Sequence, residues 1–355
     1  MKFERNRAIF LLLSFFSQLS STSSLKIEPD SDGHYRIRIS DYKNSETINF
    51  AVIGDWGGAP APFHNTPIQL SAAKLLGEVS ADRDSKFTLA IGDNFYFWGV
   101  DDIYDRRWYT TWEKVYNSQS LMKPWYVIAG NHDWQGNITA QIEYSKYNQR
   151  WTFPNFYYTI TYDFNKNQQF SIIMLDTQML CDQDATAMNK QYPLRVTDEM
   201  RGKQLAWLEQ ELESTKNHDF VFVSGHYQIH KPDSKLKCMT AVDDLIKKYK
   251  VTAFINGHQH DQLHMVAKDE SKMNYLETGI GSLTSPASTA GPYENSEVDV
   301  IWFFKRVLDF SGGCAMVEIK NNEMVMNWYY EKLGIQTPQH SVKIPARSFG
   351  KREEF

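Results

Sequence analysis

Short apolar runs recur along this chain, and several end in a polar loop that contains glycine. Ile48-Asn49-Phe50-Ala51-Val52-Ile53 leads into Gly54-Asp55-Trp56-Gly57-Gly58, and the run Phe87 to Ile91 leads into Gly92-Asp93-Asn94-Phe95-Tyr96. The run Trp125 to Ala129 precedes Gly130-Asn131-His132-Asp133, and Phe220 to Val223 precedes Ser224-Gly225-His226-Tyr227. Thr252 to Ile255 precedes Asn256-Gly257-His258-Gln259-His260, while Ser171 to Leu175 ends at Asp176. Apolar runs of this length, bounded by turn residues, read as buried strands.

Helical spacing appears between these runs. Thr66 can cap a helix with Pro67 at its first position and Ile68, Ala72, Leu75 and Val79 on one face. A second helical stretch is expected over Asp105 to Tyr116. A third runs from Thr197 to Ser214, with Leu205, Leu208 and Leu212 aligned, and a fourth from Met239 to Tyr249, with Val242, Leu245, Ile246 and Tyr249 aligned. Phe156 to Phe164 is aromatic and β-branched, as in antiparallel strands, and further strands fall near Asn274 to Glu277, Cys314 to Ile319 and Met324 to Tyr330. Tyr35 to Ile39 alternates and is either an edge strand or part of a disordered leader. Residues 181–196 read as a long exposed loop and the chain from Lys343 as a frayed tail. Strand, loop and helix in repetition predict an α/β fold, parallel early and antiparallel late. Ligands in such folds bind beyond the carboxyl ends of the strands, where these motifs lie.

The 355 residues, 42% of them hydrophobic, suffice for a sizeable core. A net charge of -5 and the lack of any basic run interleaved with aromatics argue against nucleic acid as a partner. Lys2, Arg5 and Arg7, the apolar stretch Ala8 to Phe16 and the small residues Ser20 to Ser24 read as a secretory signal, too short to span a bilayer. The expected organisation is a signal over 1–24, an extension over 25–46, a catalytic domain over 47–335 and a tail over 336–355. The mature protein is expected to be a monomer, without a membrane partner, outside the cytosol. Asn137-Ile138-Thr139 is a glycosylation acceptor. Of three cysteines, Cys181 and Cys238 lie in polar sequence and form the favoured pair, with other pairings open, while Cys314 reads as a small buried hydrophobe.

Five strand ends carry metal-competent side chains: Asp55; Asp93 with Tyr96; Asn131 with His132; His226; and His258 with His260. Asp55, Asp93 and Tyr96 offer anionic oxygens, which suit a hard ion such as Fe(III). Asn131, His226 and one of the two loop histidines suit a divalent ion, Fe(II) by preference, with Zn or Mn as alternatives. Asp93 is placed to serve both. Adjacent loop positions point differently, so His258 and His260 can serve different metals, in an order left open. Two such metals support phosphoester hydrolysis by metal-bound hydroxide. No serine or cysteine nucleophile with a relay is evident, nor a glycine-rich phosphate loop with lysine. His132 is the candidate acid for the leaving alcohol, with His230 as a weaker second candidate.

GDWGGAPAPFH, LAIGDNFYFWGVDD, PWYVIAGNHDWQGN, AQIEYSKYNQRW, IIMLDT, VSGHY and NGHQH together resemble the purple acid phosphatases, in their short animal, tartrate-resistant form, within the calcineurin-like metallophosphoesterases. The resemblance implies two mixed β-sheets packed together and flanked by helices. It implies Fe(III) on Asp55, Tyr96 and His260, a bridging Asp93, and a divalent metal on Asn131, His226 and His258. It implies His132 as leaving-group acid, a Cys181–Cys238 disulfide and a glycan on Asn137. Residues 181–196 resemble a loop whose proteolysis raises activity in some members. Gln228 stands where proline is usual, Gln259 where aspartate is usual, and Lys235 at the offset of the second substrate-site histidine; the extension over 25–46 goes beyond the family core. The expected activity is that of a secreted or lysosomal acid phosphatase acting on phosphorylated small molecules or phosphoproteins. A phosphodiesterase or nucleotide pyrophosphatase on the same site is the alternative. A non-catalytic secreted binding protein is disfavoured, because all seven ligands are present.

Overall fold

The computed structural model describes residues 29–181, 194–231, 234–283, 295–304 and 310–347. The signal segment and most of the 181–196 loop lie outside them. In chain order the strands are β1 (Arg36–Ile39), β2 (Thr47–Ile53), β3 (Thr88–Ile91), β4 (Trp125–Ile128), β5 (Trp151–Thr152), β6 (Tyr158–Phe164), β7 (Gln168–Met174), β8 (Phe220–Ser224), β9 (His230–Lys231), β10 (Ser234–Lys235), β11 (Ala253–Asn256), β12 (Gln262–Ala267), β13 (Asn274–Thr278), β14 (Val298–Phe303), β15 (Gly313–Lys320), β16 (Glu323–Tyr330) and β17 (His340–Pro345). The helices that matter here are α1 (Pro67–Asp82), α2 (Ile138–Tyr144), α3 (Thr177–Cys181), α4 (Asp198–Ser214) and α5 (Thr240–Lys248).

One sheet has the order β17-β16-β15-β2-β3-β4-β5 and the other β1-β6-β7-β8-β11-β13-β12-β14. β2, β3, β4 and β5 run parallel, as do β7, β8, β11 and β13, whereas β15, β16 and β17 pair antiparallel. The sheets face each other across an aromatic layer. Phe50 stacks on Phe87 at 4.7 Å, Phe87 on Tyr162 at 5.0 Å and Tyr162 on Phe170 at 5.1 Å. Continuous apolar runs make sense on strands covered on both faces. On the outer face of the second sheet, Trp207, Leu208 and Leu212 of α4 and Val242 and Ile246 of α5 pack with Val221 and Val223. Among the described residues no helix is long and apolar enough to cross a membrane.

The caps explain where the helices begin. The Thr66 hydroxyl accepts the Gln69 N–H at 3.0 Å with Pro67 first in α1, and the Thr197 hydroxyl accepts the Met200 N–H at 3.2 Å ahead of α4. Two expectations need correction, and one open alternative is decided. The stretch over Asp105 to Tyr116 is helical only at Trp108–Glu113, as a wide π-type turn in which the Lys114 N–H reaches the Tyr109 carbonyl. That turn buries Trp108 flat on Tyr144 at 3.6 Å and Trp112 edge-on to Trp151 at 4.9 Å. The chain from Lys343 is not frayed at its start: Lys343, Ile344 and Pro345 lie in β17, paired with Val325, Met324 and Glu323. Beyond it, Arg347 donates to the carbonyls of Tyr249, Lys250 and Thr215. The alternating segment is an edge strand, since β1 pairs in parallel with β6. Arg38 bonds Asp163 there, and Arg36 bonds the buried Glu211 of α4.

Candidate metal centre

The seven donors converge from loops that follow β2, β3, β4, β8 and β11. Asp55 and Asp93 leave their strands with φ of 56° and 52°, and His258 and His260 have φ of 82° and 53°. Non-glycine residues rarely adopt this conformation, and its clustering here marks a place where side-chain aim outweighs local comfort. Two glycines make the close approach possible. A Cβ on Gly92, itself at φ +94°, would lie 2.6 Å from His226 Nδ1, and one on Gly130 would lie 2.2 Å from Asp93 Oδ1.

On one side, the Tyr96 hydroxyl donates to Asp55 Oδ1 at 3.0 Å and lies 2.9 Å from His260 Nε2, which is 3.4 Å from Asp55 Oδ1. On the other, His226 Nε2 lies 3.4 Å from Asp93 Oδ1, 3.2 Å from Asn131 Oδ1 and 3.3 Å from His258 Nδ1. Asp93 belongs to both groups, because carboxylate oxygens of Asp55 and Asp93 and a ring nitrogen of His260 all lie within 4.8 Å of one another. The two loop histidines therefore part: His260 faces Tyr96 and Asp55, and His258 faces His226.

The donor set suits two cations. Asp55 and Asp93 are buried, and the side-chain cations within ion-pair reach of them among the described residues are His260 and His226, with no lysine or arginine. Buried charges are paired or coordinate metals. Burial opposes ionisation of Asp93, yet the His226 ring beside it holds its carboxyl well below the usual range. Burial likewise opposes charge on His226, but Asp93 overrides it and pushes the ring up to about 10. Burial and the neighbouring His226 push His258 down to about 3. Burial and then Asp55 raise the Tyr96 phenol well above its ordinary value. A cation between these groups takes the place of their shared protons, which is how metal affinity couples to pH.

Neighbouring groups set the orientation. His226 Nδ1 lies 3.0 Å from the Ile91 carbonyl, which can only accept, so that nitrogen carries the proton and Nε2 is free to ligate. The Thr177 hydroxyl accepts the His226 and Tyr227 N–H groups at 3.1 and 2.8 Å, and the Ser282 hydroxyl donates to the Asp55 carbonyl at 2.8 Å. Asp133 accepts from the Asn94 and Gly130 N–H groups and from the Gln141 amide, joining the loops after β3 and β4. Burial and the Asp93 charge raise its carboxyl to about 6. Burial raises Asp176 to about 7, although it accepts from the Trp134 indole and the Met179 N–H. Asp133 and Asp176 carry no metal-ligand signature in the sequence, and their position at strand ends beside the ligand motifs is the one signal that marks them.

His132 lies at the edge of the centre. Its backbone N–H donates to Asp93 Oδ1 at 3.0 Å, and its Nδ1 lies 2.8 Å from the Phe97 carbonyl. His230 does not join it. Its ring is fully buried, 3.5 Å from Asp243 and edge-on to Tyr275 at 4.7 Å, in a pocket where Lys235 and Lys247 pair with the same carboxylate. Among the described residues the ring faces this ion-pair cluster, away from solvent, which does not suit a second acid. The Cys181–Cys238 bond is present, with Cα atoms 5.1 Å apart, and Cys314 is a buried free thiol. Asn137 caps α2 by accepting the Ala140 N–H at 3.1 Å.

The calcineurin-like phosphoesterase family model matches residues 48–262. The chain is 37% identical to the tartrate-resistant acid phosphatase type 5 of Oryctolagus cuniculus over 79% of this chain and 87% of that one. It is 27% identical to purple acid phosphatase 4 of Arabidopsis thaliana over 77% of this chain and 76% of that one. Among solved structures, GAP50, described as the anchor in the inner membrane complex of Plasmodium, superposes with a TM-score of 0.69 at 22% identity, over 85% of this chain and 89% of that one. At that identity the likeness concerns the fold alone.

Proposed function

The chain belongs to the calcineurin-like phosphoesterases, in their purple acid phosphatase branch, and from that membership we propose a binuclear iron enzyme, secreted or lysosomal, that hydrolyses phosphomonoesters at acid pH. The observation that carries the reading is the convergence of a phenol on a carboxylate and an imidazole, Tyr96 on Asp55 and His260, beside the group gathered around Asp93. Asp55, Tyr96 and His260 would hold a ferric ion, for which anionic oxygen donors are suited. Asn131, His226 and His258 would hold a divalent ion, Fe(II) by preference and Zn or Mn as alternatives, with Asp93 shared. When bound, such a pair supplies Lewis acidity at the phosphoryl oxygens and acidifies water.

His132 handles the proton of the leaving group. Its Nδ1–H is committed to the Phe97 carbonyl, so the imidazolium presents its second proton at Nε2. That proton passes to the ester oxygen as the phosphorus–oxygen bond breaks. The N–H bond from His132 to Asp93 ties this acid to the shared carboxylate. Export is supported by the signal-like N-terminus, the disulfide and the Asn137 acceptor sequence. Metal analysis and a visible spectrum of the purified protein, with rates on mono- and diester substrates at acid pH, test the reading. A colourless, iron-free protein with full activity sinks the ferric–tyrosinate assignment. Faster turnover of diesters moves the activity to the alternative.

A further inference from the structure

We propose that His230, Asp243 and Glu297 form a zinc site, separate from the seven-donor centre. A ring nitrogen of His230 and one carboxylate oxygen from each of the other two all lie within 4.8 Å of one another. The three come from different parts of the chain: His230 from β9, Asp243 from the first turn of α5, and Glu297 from the residue before β14. One imidazole and two carboxylates are donors that zinc accepts, with water to complete four-coordination.

The imidazole carries the inference. His230 is fully buried, and among the described residues neither ring nitrogen has a hydrogen-bond partner; Nε2 lies 3.5 Å from Asp243 Oδ2 without making a bond to it. Buried polar atoms left unpaired are uncommon, and an ion is one of the reasons for them. A protonated ring would bury two N–H donors without acceptors, whereas a neutral ring offers a lone pair to a cation. The carboxylates already draw cations. Lys235 Nζ lies 2.7 Å from Asp243 Oδ2 and 3.0 Å from Glu297 Oε2, and Lys247 Nζ lies 3.1 Å from Asp243 Oδ2. These ammonium groups account for the carboxylates but not for the ring, to which neither donates.

The site has a rim and a frame. The Glu297 side chain is 45% exposed and that of Lys235 18%, so a cation enters on their side. Zinc takes the place of the Lys235 ammonium, which turns to solvent, while Lys247 keeps its second partner, Asp269, at 2.9 Å. Asn295 Oδ1 accepts the Glu297 N–H at 2.8 Å, and the Asn295 amide donates to the Lys231 carbonyl at 2.8 Å. The segment that brings Glu297 is thereby tied to the hairpin that brings His230. Donors held together in advance lose little freedom when an ion joins them.

The test adds zinc to the full-length protein as isolated, after its resident metals have been measured, and reads uptake by equilibrium dialysis with metal analysis. The wild type is expected to take up a single further zinc per chain. Glu297→Gln and His230→Gln are each expected to weaken that uptake at least about tenfold, a loss seen even for groups that only support metal ligands. Lys235→Met, which removes the competing cation, is expected to tighten it. Diffraction at the zinc absorption edge should place the ion between His230, Asp243 and Glu297. Equal uptake by the wild type and Glu297→Gln overturns the proposal, because the zinc then lies elsewhere. Uptake by Lys235→Met alone overturns it too, since the lysine then holds the site against zinc, and so does no uptake by either. Glu297 lies at the surface, so Glu297→Gln decides the matter even if His230→Gln does not fold. The resident metals, analysed on the same samples, report separately on the seven-donor centre.

Discussion

The Tyr96 hydroxyl donates to Asp55 Oδ1 at 3.0 Å, although 41 residues separate the two in the chain. Each leaves a different strand of the same sheet, and their side chains meet where β2 and β3 run side by side. Carboxylates, imidazoles and an amide serve many metal centres, but the phenol adds a donor that favours a trivalent ion.

Replacing Tyr96 by Phe is therefore expected to abolish the visible charge-transfer band and to weaken iron retention, while the fold persists because the ring stays in its buried place. A visible spectrum and iron analysis after gel filtration check this. A mutant that keeps its band refutes the ligand assignment.

His132→Gln should slow hydrolysis of esters with poor leaving groups by about 10² to 10⁴. With p-nitrophenyl phosphate, whose leaving group needs little protonation, the loss should be much smaller. A plot of log kcat/KM against leaving-group pKa should steepen. An unchanged slope removes His132 from the acid role.

Stability should fall on acidification, an unusual burden for an enzyme proposed to work at acid pH. Burial, aided by Arg347, holds His218 down to about 4, with its Nδ1 2.8 Å from the Ser171 hydroxyl, and burial holds His264 down to about 4 as well. Both folded values lie below the ordinary 6.5. Between 6.5 and 4 the unfolded chain therefore takes up protons that the folded one refuses, and stability declines by at most about 1.4 kcal/mol per pH unit for each group. His218→Gln should flatten part of that decline. Urea unfolding at several pH values reads it directly, and an unaltered slope counts against the assignment.

Arg347 holds the C-terminal ends of α4 and α5 together through the carbonyls of Thr215, Tyr249 and Lys250. Arg347→Ala leaves those carbonyls without their charged donor and should cost about 2 kcal/mol, or a few degrees in Tm. Thermal unfolding checks this. Arg347 also bonds the Asp219 carbonyl at the start of β8, whereas His226 follows the other end of that strand, so the metal content should not change.

Much was legible in the sequence because the signals are local. A strand shows itself as an apolar run, a sharp turn as glycine, and a donor just past the strand end as a side chain within a few residues of both. Asp55, Asp93, Tyr96, Asn131, His226, His258 and His260 all have that form, so their convergence followed once the strands were taken as parallel. Tertiary structure decided what depends on partners distant in the chain. Which loop histidine faces which group is set by backbone conformation and by Tyr96 and His226, and no spacing rule encodes it. His230 looked available four residues past His226, yet Asp243, Lys235 and Tyr275 enclose it. The segment Arg36–Ile39 is a strand because β6 offers a free edge, and residues 340–347 are held because β16 and two helix ends supply partners. Local sequence determined which side chains could serve this site; long-range packing determined where each one points.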